Sequence, residues 1–172
     1  VKILRAIDRF SMGLSLLSGI MLGCMALLIV AEIFLRKFAD ISLHYVWEVS
    51  VFAHMAAVFL GAGWTLRTGG HIRVTLLLGK LPRLGEWVAT LFGLAISAYM
   101  SSALIKLAWS YYASGRTSGS VTDTPLAIPA TIIAFGASMM TLQILLRALR
   151  LVLGEAPDLD TTGEDAPAPI MD

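Results

Sequence analysis

Four long stretches of this chain carry no Asp, Glu, Lys or Arg: Phe10–Ala31, Val49–Leu66, Trp87–Ile105 and Thr124–Leu146. Charged and turn-forming residues gather between them, at 32–48, 67–86 and 106–123. Each stretch is close to the ~20 residues that cross a ~30 Å hydrocarbon core at ~1.5 Å of helix rise per residue. The pattern predicts an all-α membrane protein with four transmembrane helices, at about 10–35, 44–67, 86–109 and 125–149. These fall in one transmembrane domain over 1–152.

The connection between the second and third helices has a pattern of its own. Gly69 and Gly70 follow the last apolar turn, where a left-handed helix cap is expected. In "HIRVTLLLGKLP", Arg73 and Lys80 are seven apart and share a helical face, with Val74, Leu77, Leu78 and Leu81 broadly elsewhere. That predicts a short amphipathic helix over 72–81, lying in the membrane interface with its bases toward anionic lipid headgroups. Nucleophiles and further metal ligands do not surround His71, and one histidine makes no metal site. The segment 69–83 therefore reads as an elbow, with no catalysis, metal or other cofactor expected.

Composition agrees with the membrane reading, at 57% apolar and 15% charged residues and a mean hydropathy of +0.78. A soluble domain needs more charge on its surface. Lys2, Arg5 and Arg9 ahead of the first window also suit a cleaved signal peptide. Its apolar run is too long for one, however, and no small-x-small cleavage site closes it. The single cysteine, Cys24, can form no intrachain disulfide.

Charge also sets an orientation. Lys2, Arg5, Arg9, Arg67, Arg73, Lys80, Arg83, Arg147 and Arg150 fall on one side, whereas Arg36, Lys37, Lys106 and Arg116 fall on the other. The positive-inside rule then places both termini and the 67–85 connection in the cytoplasm. From Glu155 onward the chain has six acids, three prolines and no bases, so 153–172 reads as a disordered acidic cytoplasmic tail.

Within the helices, Gly19 and Gly23 form a GxxxG face on which another helix could approach closely. Gly93 with Ser97, and the Gly136-Ala137-Ser138 patch, extend the small-residue theme to the third and fourth helices. Glu32, Arg36, Lys37, Asp40, His44 and Glu48 cluster at the outer ends of the first two helices. There they either fix the helix ends at headgroup depth or, at Arg36 and Glu48, contact a partner protein. Tyr45, Trp47, Trp109, Tyr111 and Tyr112 suit an interfacial aromatic belt. His54, six residues beyond Glu48, lies near mid-membrane, and Gln143 is similarly deep in the fourth helix. Each is either a functional group or one half of a hydrogen bond between helices.

Three classes of function suit such a chain: a non-catalytic subunit of a transport complex, a respiratory membrane anchor binding haem b or quinone, and a small proton-coupled exporter. Haem ligation calls for two histidines at matched depth, and only His54 is deep. Glu48, the exporter's candidate acid, is near a helix end. Walker A, GxSxG and HExxH patterns are absent from the sequence. No nucleic-acid partner is expected, and the subunit reading survives best.

The stretch "WEVSVFAHMAAVFLGAGWTLRTGGHIRVTLLLGKLP", residues 47–82, resembles the small membrane subunit of tripartite ATP-independent periplasmic (TRAP) transporters, the DctQ-like family. The resemblance is carried by Glu48-Val49-Ser50, Leu60-Gly61-Ala62 and Gly70-His71-Ile72-Arg73-Val74. "EIFLRKF" at 32–38 and "IPATIIAFGASMMTLQILLRAL" at 128–149 extend it. The sequence departs from the family pattern at Trp47, Val51 and His54.

The resemblance implies a scaffold subunit of a sodium-driven, binding-protein-dependent importer of organic acids, in a bacterial inner membrane. Its partners would be a large DctM-like membrane subunit, a periplasmic DctP-like binding protein and membrane lipids. Contacts with partners are expected at Glu32, Arg36, Trp47, Glu48, His54, Gly19 and Gly23. The inner elbow would use Gly69, Gly70, His71, Arg73 and Lys80.

Overall fold

The computed structural model describes residues 2–68, 82–120 and 122–154. The expected interfacial helix, its residues Gly69, Gly70, His71, Arg73 and Lys80, and the acidic tail from Glu155 lie outside the described residues.

The described chain is all-helical: α1 (Lys2–Phe38), α2 (Tyr45–Arg67), α3 (Pro82–Ser114) and α4 (Ala127–Leu153). All four are long and apolar enough to cross a membrane. Each extends past its charge-free window, so Asp8, Arg67, Glu86, Arg147 and Arg150 lie within helical turns rather than in connections. Such helices satisfy their own backbone polar groups, the condition for an element surrounded by hydrocarbon.

Asp8 at the start of α1 meets Arg67 at the end of α2 and Arg150 near the end of α4. Glu86 at the start of α3 meets Arg147 of α4. Successive helices therefore run antiparallel, with both helix starts α1 and α3 at the same end as the finishes of α2 and α4. The lateral order is α1–α2–α4–α3, and α2 and α4 run parallel in the middle. Burial follows this order: 6% of the apolar window of α1 is buried within the chain, against 44% of that of α4.

The central α2–α4 contact depends on a glycine. A methyl group built at Gly136 would lie 2.6 Å from the carbonyl carbon of Phe59 and 2.8 Å from its oxygen. Only hydrogen fits there, and the two backbones approach closely in consequence. Gly63 meets Met139 and Gln143 from the other side of the same contact. Between α1 and α2, the Ser18 hydroxyl donates to the Ala57 carbonyl at 2.6 Å, and Gly61 gives it room. Thr90, Ser97 and Ser101 are all buried on α3, and Ser101 bonds Thr141 of α4 at 2.8 Å. Small residues thus let helices associate by close packing, since apolar surface gains little by leaving lipid for protein.

Candidate functional site

The polar chemistry of the bundle concentrates at the end where α1 and α3 begin. Asp8 is the hub. Its carboxylate accepts from Arg67 Nε at 3.2 Å and from Arg150 Nη2 at 2.9 and 3.0 Å. One acid therefore joins three helices. A second group joins the fourth: Arg147 pairs with Glu86, and its Nε donates to Thr90 Oγ1 at 3.2 Å. The Thr90 hydroxyl in turn donates to the Glu86 carbonyl at 2.7 Å. One turn deeper, Gln143 Nε2 donates to Ser11 Oγ at 2.8 Å, tying α4 to α1 again.

All three arginines are buried, and the Arg150 side chain is 3% exposed. A buried charge is stable only when it is paired and hydrogen-bonded, because losing its hydration costs several kcal/mol. Planar guanidinium groups suit the task, presenting several donors in a fixed fork. Chemically, the cluster can hold four helix ends in one register; among the described residues no three His, Cys, Asp or Glu are grouped to hold a metal ion.

By sequence, Arg67, Arg147 and Arg150 mark the cytoplasmic side, and Asp8, Glu86, Thr90 and Ser11 do not stand out as site residues. A signal was available: Gln143, Arg147 and Arg150 recur at four and three residues, and Glu86, Thr90 and Ser97 at four and seven. Polar side chains at helical spacing form a face, and a polar face on an apolar helix needs partners.

At the opposite end, Glu48 is held by its own chain. Its Oε2 accepts from the hydroxyls of Ser120 and Thr122, in the connection between α3 and α4. That connection closes as a small hairpin, with Thr117 bridged to Pro125 and Leu126 N–H donating to the Arg116 carbonyl at 3.0 Å. Glycines at 115 and 119 supply the left-handed backbone its bends require. Glu32 and Arg36, one turn apart along α1, form an ion pair at 3.7 Å, with Arg36 exposed. Trp47 is 80% exposed.

Among the described residues, no atom of another element lies within 4 Å of a methyl group placed at Gly19 or Gly23. His54 is exposed, whereas Gln143 is fully buried. The structure therefore separates the candidates. Glu48 and the Glu32–Arg36 pair are engaged within the chain at one end, and His54, Trp47, Gly19 and Gly23 face outward.

The model of the DctQ component of tripartite ATP-independent periplasmic transporters matches residues 25–154. The chain belongs to this family. No curated protein and no solved structure matches it. The DctQ match runs from the middle of α1 to the end of α4, so Arg67, Glu86, Arg147 and Arg150 fall within it and Asp8 ahead of it. Membership makes the chain a small, multi-pass inner-membrane component of a transporter; the family is one of transporter parts, not of enzymes.

Proposed function

We propose that this chain is the stationary scaffold subunit of a sodium-driven importer of organic acids, bracing the large DctM-like membrane subunit. Its outer end, around Glu32, Arg36 and Trp47, would help to seat the DctP-like binding protein. Both termini and the elbow around His71, Arg73 and Lys80 would face the cytoplasm.

The observation that carries the reading is the charge clamp. Asp8, Arg67, Arg150, Arg147 and Glu86 join all four helices at one end. Helices so tied resist sliding past one another, which suits a part that stays still while another subunit moves. The described helices are also unbroken, unlike the discontinuous helices that form ion and substrate sites near mid-membrane in many secondary transporters.

The test is reconstitution. Vesicles with the large subunit, the binding protein and an inward sodium gradient should take up a labelled organic acid only when this chain is present. Equal uptake in its absence would contradict the proposal.

A further inference from the structure

With Asp8 committed to the clamp, the first turns of α1 are left basic. Arg5 and Arg9 are exposed, stand four residues apart, and form no hydrogen bond or ion pair among the described residues. At the far end of the same helix, by contrast, the exposed Arg36 has Glu32 beside it. Met12 and Leu16 follow Arg5 and Arg9 at seven residues each, so the four side chains share one helical face.

That face is one wall of a groove of about 490 Å³, lined by Met12, Ser15, Leu16, Gly19 and Ile20 of α1 and by Trp64 of α2. The groove has the depth of one bilayer leaflet. Ile20 is eleven residues beyond Arg9, about 16 Å by helix rise, and half of a ~30 Å hydrocarbon core is about 15 Å. Arg9 directly precedes the charge-free window that opens at Phe10. The two arginines therefore stand at headgroup level, and Ile20 lies near the midplane.

The polar chemistry is one-sided. A guanidinium group and an indole N–H donate hydrogen bonds and accept none. Trp64 is three residues from Arg67, whose guanidinium holds Asp8, so it lies just below the clamp. Its indole N–H has no acceptor among the described residues. What fits this order is a molecule with an anionic acceptor at the top, a neutral acceptor beneath it and an apolar chain below. An anionic phospholipid has that sequence of groups: phosphate, ester carbonyl, acyl chain. A packed helix does not, because its carbonyls are spent on its own backbone.

We propose that this groove binds one anionic phospholipid from the leaflet at the clamp end. Its phosphate sits between Arg5 and Arg9, an ester carbonyl accepts from Trp64 Nε1, and an acyl chain runs along Met12, Leu16 and Ile20. The lipid fills the gap between α2 and α1, the helix least buried within the chain. The site does not depend on the scaffold role or on the transported substrate.

The test uses the full chain in phosphatidylcholine bilayers, with Trp47, Trp87 and Trp109 replaced by Phe so that Trp64 alone fluoresces. Lipid with brominated acyl chains, a quencher on contact, is titrated in as phosphatidylglycerol or as phosphatidylcholine. Half-maximal quenching should need about tenfold less phosphatidylglycerol. Arg5→Gln/Arg9→Gln should bring the two titrations together. Lys37→Gln/Lys106→Gln, which removes two exposed bases elsewhere, should leave them apart.

Equal quenching by the two lipids with both arginines present would overturn the site, and so would a preference that survives their exchange. Quenching by neither lipid would show protein in the groove and overturn it as well. Native mass spectrometry of the unsubstituted, delipidated chain gives a second reading. Added phosphatidylglycerol should stay bound to the wild type, in the presence of millimolar inorganic phosphate, and be lost from the arginine variant. Displacement by phosphate would assign the arginines to a soluble anion and contradict the proposal.

Discussion

Asp8 and Arg150 are 142 positions apart in the sequence, yet they share two hydrogen bonds, at 2.9 and 3.0 Å. The contact brings the first turns of α1 to the last turns of α4, with Arg67 of α2 bound to the same carboxylate. Removing the acid leaves two buried guanidinium groups without their shared partner. Asp8→Ala should therefore destabilise the bundle by about 3 kcal/mol or more, read as a lower melting temperature in detergent. The double variant Asp8→Ala/Arg150→Leu should cost less than the sum of its single changes, since it also removes one stranded charge. Additive losses would mean that the two side chains act independently.

Gly136 offers a test of packing free of charge effects. Its added methyl group would meet the Phe59–Leu60 backbone, which cannot turn aside as a side chain could. Gly136→Ala should cost about 1–3 kcal/mol by overpacking, whereas Gly19→Ala, with open space around it, should leave the melting temperature of the isolated chain unchanged. Equal effects at the two glycines would contradict the described contact.

Ser120 and Thr122 hold the α3–α4 connection onto Glu48 at the start of α2. Replacing both by Ala should free that hairpin, and trypsin should then cut after Arg116 several-fold faster in detergent-solubilised protein. Cleavage at the wild-type rate would show that the hairpin is held by other means.

The outer face makes a separate prediction. Arg36 is exposed beside Glu32, and Trp47 lies among the residues lining the same cavity of about 350 Å³. Arg36→Glu should reduce uptake by the assembled transporter without altering substrate binding by the soluble partner, measured on that partner alone. Unchanged uptake would remove this face from the docking role.

Much of the fold was legible because hydrocarbon imposes one severe rule: long runs without charge must be helices that span it. The windows gave four helices, and the small residues Ser97 and Gly136 indeed occupy helix contacts. The clamp was harder to read. Charges at helix ends look alike whether they face headgroups or each other, and only the lateral order of the helices separates the two cases. Asp8, among Lys2, Arg5 and Arg9, reads as one acid in a basic terminus until α2 and α4 are placed beside it. The GxxxG pair shows the converse limit: its spacing permits close approach, but among the described residues nothing approaches.

Orientation can be checked independently of assembly. With Cys24 replaced, a cysteine at Ser118 should react with a membrane-impermeant maleimide added to intact cells, and one at Arg5 only after permeabilisation. The reverse pattern would invert the topology and place the clamp at the outer surface.

The most direct test of the scaffold account is co-purification. The tagged chain should be co-expressed with the large membrane subunit of its transporter, extracted in mild detergent and weighed by native mass spectrometry. The result expected is a one-to-one complex that survives wash and sizing. Elution of this chain by itself or as a homo-oligomer, with the large subunit recovered separately, would contradict the account.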